Sequence, residues 1–367
     1  MTKSTSVFLD GIRVLAALLV FATHIVKILY ANPFWMPGHA MVIVFFVLSG
    51  YVIAFSTLDK KELIAKKYII ARLSRLSSVV VPALLLTALL LICGRTINPA
   101  YYNTVLQDHE LIRFLATGLF LQSVWWRNLV PPDNGPFWSL GYEFWYYALF
   151  GVVIFVKNWR WKAILILLGC LIVGENVLLL FPIWLLGVSL YIYKDSLAIS
   201  RRTATFGFAI MLIVMILFVF FLPEYPGKVG VEPLFYAASY LTDWILGLAL
   251  GAVIWFYTRA FDMFSYAENF ARAVQWSANH TFSLYLYHYP FILFFDAAGI
   301  FNPHIWWQAV LEIGLILASI IALSEVTESK RGLWKKALEY LWEWFEPRAT
   351  TFAEDKKPSS KNLLTEN

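Results

Sequence analysis

Residues 8–30 read FLDGIRVLAALLVFATHIVKILY, and the reading of this stretch decides the fold. At about 1.5 Å per residue, a helix of this length crosses the roughly 30 Å hydrocarbon core of a bilayer. The run is too long for a signal-peptide core and has no clear small-residue cleavage site, so it is expected to stay as the first helix. Further apolar runs follow at 38–58, 77–94, 138–156, 161–174, 176–193, 204–222, 236–258, 279–299 and 304–324, with short polar breaks between most of them. The 367 residues are 60% hydrophobic and 14% charged, which leaves no room for a separate water-soluble domain. The expectation is an all-α polytopic membrane protein with about ten transmembrane helices.

Orientation follows from Lys and Arg, which accumulate in short cytoplasmic loops. With the N-terminus inside, the inner loops receive Lys60, Lys61, Lys66, Lys67, Arg72 and Arg75, then Lys157, Arg160 and Lys162, then Lys194, Arg201 and Arg202, then Arg259 and Arg272. The outer connections receive Arg95, Arg113, Arg127 and Lys228. Both termini are therefore expected to be cytoplasmic. The alternation fails if 111–126 also spans; interrupted by Arg113, Gly118 and Gln122, it reads as re-entrant or interfacial. Beyond the last span, 327–347 is amphipathic and is expected to lie along the inner membrane surface, with Leu333, Trp334, Leu338, Leu341, Trp342 and Phe345 on one broad face. The tail 350–367 is polar without apolar periodicity and is expected to be disordered.

The net charge of +5 sits largely in these loops, where it sets orientation, so no nucleic-acid partner is implied. Cys93 and Cys170 each lie in an apolar run, and neither a disulfide framework nor a cysteine-rich metal site is expected.

Ionisable residues inside spans are costly and mark candidate chemistry. Arg13 and His24 are eleven residues apart, which at about 100° per residue places both on nearly one face, roughly 16 Å apart along the axis. The competing structural reading is that Arg13 snorkels to headgroups and His24 serves as an interhelical hydrogen-bond partner. A second cluster is Asn134-Gly135-Pro136-Phe137-Trp138-Ser139-Leu140-Gly141-Tyr142-Glu143, where Ser139 and Glu143 stack on one helical face. Glu143 lies about one turn inside the membrane and needs a partner; His24 is at comparable depth. Trp138 and Trp145 also fit an aromatic belt. Arg72 and Arg75 offer two guanidinium forks on one helical side, suited to phosphate, although orientation by positive charge explains them as well. His288, with Ser283, Tyr285 and Tyr287 before Pro290, sits near mid-span and also needs polar company.

Together these stretches resemble membrane-bound acyltransferase family 3, the family of bacterial carbohydrate O-acetyltransferases. The resemblance covers 8–325 and rests on five pieces in the family's order. They are Phe8-Leu9-Asp10-Gly11-Ile12-Arg13 with His24 after ten intervening residues, Val44-Phe45-Phe46-Val47-Leu48-Ser49-Gly50-Tyr51, Arg72 with Arg75, Gly135-Pro136-Phe137-Trp138-Ser139-Leu140 to Glu143, and the Ser283 to Pro290 stretch. One departure is that the proline after the paired arginines comes only at Pro82.

The resemblance implies a multi-pass enzyme of the bacterial inner membrane, an acyltransferase moving an acyl group, above all acetyl, from cytoplasmic acyl-CoA. The acceptor is a hydroxyl of a cell-surface or exported glycan or glycolipid. Acyl-CoA is then a co-substrate, with no permanently bound cofactor or metal. By the same resemblance His24 is the base or transient acyl carrier and Glu143 orients it. Arg13, Arg72 and Arg75 hold the donor, and Trp138, Ser139, Tyr287, His288 and Asp10 line the acceptor side or support the site. With no appended soluble domain in the sequence, the reaction is expected to finish on the membrane domain or pass to a separate protein; a homo-oligomer is compatible with all of this. The alternative is a proton-coupled transporter or flippase of a lipid-linked glycan, in which His24 and Glu143 carry protons. A membrane scaffold ranks last because it leaves these buried ionisable groups without a purpose.

Overall fold

A computed structural model describes residues 1–31, 37–60, 62, 64–105 and 108–345. Among them the chain runs α1 Lys3–Leu29, α2 Gly38–Leu58, α3 Ala65–Ile97, α4 Pro99–Val105, α5 Glu110–Gly118, α6 Trp138–Phe155, α7 Trp159–Ile192, α8 Arg201–Phe221, α9 Tyr240–Ala260, α10 Glu268–Ala278, α11 Thr281–Ala298, α12 Trp306–Val326 and α13 Arg331–Phe345. An isolated bridge between Val231 and Phe235 is the only β pairing among the described residues. Among the described residues, seven stretches are long and apolar enough to cross a membrane: α1, α2, α3, α7, α8, α9 and Trp306–Phe345.

Several helices begin at side chains that satisfy their free N–H groups. Thr2 accepts from Thr5 N, Asn158 from Arg160 N and Trp161 N, and Ser200 from Thr203 N. These caps mark the basal end of the bundle. There Thr2 Oγ1 donates to Asp262 at 2.6 Å, and Arg259 Nη2 donates to the Lys194 carbonyl at 2.7 Å.

The apolar run at 77–94 is the second half of a longer helix. Because α3 starts at Ala65, Arg72 and Arg75 ride on the helix itself rather than in a loop before it. The two runs at 161–174 and 176–193 are joined in α7, whose 34 residues are interrupted at Gly174 (φ 74°, ψ −174°). A straight helix of that length would measure about 51 Å. Instead, α7 starts just beyond Phe155, which shares a cavity with Ser56 and Thr57, and Tyr191 near its end packs on Tyr51 and Phe55. Its middle is elsewhere, where Trp125 N donates to the Val173 carbonyl at 2.8 Å. The chain therefore reverses at Gly174, in a backbone conformation that L side chains rarely adopt, with Trp125 packed where a Cβ would stand.

The segment 111–126 forms only the nine-residue α5 and the loop after it, too short to cross. The amphipathic helix expected over 327–347 is α13, held against α3 with Lys66 Nζ 6.0 Å from the Trp342 ring. Lys61 and the tail 350–367 lie outside the described residues.

One close crossing positions the centre of the molecule. A Cβ on Gly50 would come within 2.0 Å of the Trp184 carbonyl, and one on Gly187 within 2.0 Å of the Val47 carbonyl. The two glycines let α2 and α7 touch backbone to backbone. That contact brings Ser49 to 3.3 Å from Trp184 Nε1 and turns it towards α6.

Candidate active site

The start of α6 is fixed from two sides. Pro290 has no N–H, so in α11 the carbonyl of Leu286, four residues earlier, is left without its helical donor. Asn134 Nδ2 donates to that carbonyl at 3.0 Å and to Thr87 Oγ1 of α3 at 2.9 Å. Ser139, the second residue of α6, pairs with Tyr285 OH of α11 at 2.8 Å, and Tyr285 in turn donates to the Pro136 carbonyl at 3.1 Å. Trp145 Nε1 donates to the Phe120 carbonyl at 3.0 Å, so this tryptophan anchors the loop after α5.

Below this joint lies a chamber lined by Arg13, Ser49, Arg75, Ser139, Glu143 and Tyr285, from five different helices. Glu143 Oε1 accepts from Ser49 Oγ at 2.7 Å and from Tyr147 OH one turn on. Arg13 pairs with Asp10 at 3.4 Å. Glu143 shares this chamber with Arg13 and Arg75 and couples electrostatically to both. The arrangement is suited to hold an anionic or strongly polar group between the two arginines.

The histidines form a separate unit further along α1 and α11. His288 Nδ1 lies 2.8 Å from the Leu284 carbonyl, and His288 Nε2 lies 2.9 Å from His24 Nδ1, which is also 3.0 Å from the Val20 carbonyl. A carbonyl only accepts, so both Nδ1 atoms carry hydrogen. His288 Nε2 is then an acceptor, and His24 Nδ1–H is shared between it and Val20. What remains is His24 Nε2, a lone pair with no partner among the described residues. The Tyr289 ring stands 5.0 Å away, edge to face. Tyr285, which lines the chamber, is 6.4 Å ring to ring from His288, so α11 links the two units within one turn.

The family model described as an acyltransferase domain matches residues 6–327. The chain belongs to acyltransferase family 3. It is also similar to an O-acetyl transferase of Shigella phage Sf6, 24% identical over 230 residues. That match takes in 53% of this chain and 65% of the phage protein, just under two thirds of its length. No solved structure matches the chain.

In this family member, the expected pairing of Glu143 with His24 is not what the helices make. Glu143 is engaged by Ser49 and Tyr147, while His24 is engaged by His288. The reason is depth: the separation of roughly 16 Å along α1 keeps His24 away from Arg13, and Glu143 sits at the level of Arg13. Nor do Arg72 and Arg75 share one cavity. Arg75 faces the chamber, whereas Arg72 lines a groove between α3 and α6, 5.8 Å from the Tyr68 ring, with its Nε buried and without a hydrogen-bond partner. Tyr287 points to the end of α12, its hydroxyl 2.9 Å from Thr327 Oγ1. Trp138 is stacked between Tyr236 at 4.5 Å and His39 at 5.8 Å.

Sequence reasoning missed three groups in this acyltransferase. Ser49 lies inside the quoted Val44 to Tyr51 stretch but had no role attached. Tyr147 is four residues after Glu143, a spacing that brings side chains together on a helix. The His39–Asp243 pair, with Nε2 3.1 Å from both carboxylate oxygens, joins α2 to α9 and had no local signal.

Proposed function

We propose that this acyltransferase is a membrane O-acetyltransferase, carrying an acetyl group from acetyl-CoA on the cytoplasmic side to a hydroxyl of a cell-surface or exported carbohydrate. The observation that carries the reading is the unprotonated Nε2 of His24, left free by the hydrogen-bond chain through His288 to Leu284. A neutral imidazole with one fixed N–H and one open lone pair is a general base. It takes the proton from the acceptor hydroxyl as that oxygen bonds to the thioester carbon. The carbon–sulfur bond then breaks, and the proton passes from His24 to the leaving thiolate. The positive charge that His24 carries between these steps is met by the His288 Nε2 lone pair, already aimed at it. A transient acetyl group on His24 Nε2 uses the same lone pair.

Arg13 and Arg75 at the chamber meet the anionic donor, and the extended pantetheine arm runs from there along α1 towards His24. With both halves of α7 crossing, and with α6 and α11 also spanning, the chain makes about ten passes with both termini in the cytoplasm of a bacterial inner membrane. The glycan or glycolipid acceptor approaches from the distal end.

The test is transfer of label from radiolabelled acetyl-CoA by the purified protein in lipid nanodiscs supplied with candidate glycans. Label entering a glycan, or the protein itself, supports the enzyme. Binding and movement of a glycolipid with no turnover of acetyl-CoA favours the flippase.

A further inference from the structure

Beyond the chamber, on the side of Arg13 and Arg75, a second cavity of about 220 Å³ opens, and it is lined mainly by polar groups. Arg13, Arg75, Arg331, Asn279, Glu328 and Ser329 line it, and Arg13 and Arg75 line the chamber as well. The two arginines thus stand between an outer mouth and the inner chamber. Glu328 is the one carboxylate lining the mouth among the described residues. It accepts from Ser283 N and Oγ, both at 2.8 Å, and couples electrostatically to Arg75. With three guanidinium groups and at most one carboxylate charge, the mouth keeps an excess of positive charge.

Arg331 differs from the other two arginines. It is the first residue of α13, is exposed, and has no hydrogen bond or ion pair to any described residue. It also lies beyond residue 327, where the match to the family ends. The contact between Trp342 and Lys66 pins α13 along α3, and so holds Arg331 at the mouth. A guanidinium fixed at a polar entrance and left unpaired is placed for phosphate, which it can grip through two parallel N–H bonds.

We propose that Arg331 binds the phosphate groups of the CoA donor, making α13 one wall of the donor site. This rests on the acyl-CoA reading above. The phosphates sit among Arg331, Arg75 and Arg13 at the mouth, and the thioester arm enters past Arg13 and Arg75. Asn279 and Ser329 add neutral donors to the lining.

The experiment is titration of coenzyme A itself into the full chain in nanodiscs, comparing wild type with Arg331→Ala, Arg331→Glu and Lys335→Ala. Lys335, one turn further along the same helix, is paired with Glu339 at 3.7 Å and does not line the mouth, so it controls for net charge. The expected result is about tenfold weaker CoA binding in Arg331→Ala, a larger loss in Arg331→Glu, and wild-type affinity in Lys335→Ala. Thermal melting confirms that each variant is folded. Equal affinity in wild type and Arg331→Ala, or an equal loss in Lys335→Ala, overturns the role of Arg331 while leaving the donor reading standing. Absence of CoA binding by the wild type removes the donor reading and this proposal together.

Discussion

His24 and His39 stand on neighbouring helices, with Gly38 packed against Thr23, and their partners are of opposite kinds. His24 Nδ1 faces a second imidazole at 2.9 Å, while His39 Nε2 faces both oxygens of Asp243 at 3.1 Å. An imidazole tied to a backbone carbonyl offers only a lone pair, so it takes the N–H of His24 and leaves the other nitrogen open. A carboxylate accepts the N–H of His39, and the ring is clamped again by Trp138. Both rings are only partly accessible, and both belong to a polytopic bundle. Under the proposed function, the partner separates a base from a strut, where burial and residue type do not.

The largest effect expected is on chemistry. His24→Ala should lower acetyl transfer by about 10²-fold to 10⁴-fold, with a melting curve like that of the wild type. The comparison breaks if that variant turns over at close to the wild-type rate. Next is stability: His39→Ala leaves the Asp243 carboxylate, 1% exposed, with only the long Ser239 hydroxyl contact at 3.4 Å, and should cost about 3 kcal/mol in unfolding titrations. Transfer per folded molecule should stay within a few-fold of wild type; a loss matching that of His24→Ala would make the two histidines one catalytic unit.

His288→Ala removes the acceptor that faces His24 but leaves Val20 to hold the tautomer. Turnover should fall by about tenfold with KM for acetyl-CoA unchanged. A rise in KM alone would move His288 to the donor site.

The smallest effect concerns a carboxylate that lacks what Asp243 has. Asp133, in the loop before α6, is buried with Oδ1 unbonded, and burial lifts its pKa to about 6. Its folded value lies above the ordinary 3.8, so its contribution to stability is present below that pH and is lost as pH rises through about 6. Asp133→Asn should therefore flatten the fall in melting temperature between those values and leave the variant the more stable at pH 8. An unchanged pH profile would show that burial does not control this acid.

The apolar runs were legible because hydropathy is a local property, and so was the shared face of Arg13 and His24, since helical period is local too. The partners were not. His24 and His288 are 264 positions apart, and nothing in the pattern of α1 says that α11 packs there. Counting from the helix ends offered Glu143 as the partner of His24, but α6 sets Glu143 at the level of Arg13 instead. The direction of Glu143 follows from the Gly50–Gly187 crossing, which sets Ser49 beside it. The polar break around Gly174 was visible, while the reversal there depends on contacts with Trp125 and Tyr51 that only the assembled bundle makes. Arg72 and Arg75 were readable as a pair on one helix, yet the neighbouring α6 divides the groove of one from the chamber of the other.

The most direct test is turnover of radiolabelled acetyl-CoA in nanodiscs by wild type, His24→Ala and His39→Ala, each normalised to its folded fraction. Label transfer is expected to fall by at least about 10²-fold in His24→Ala and to persist in His39→Ala. Transfer near the wild-type rate in His24→Ala, or an equal loss in both variants, would rule out His24 as the base.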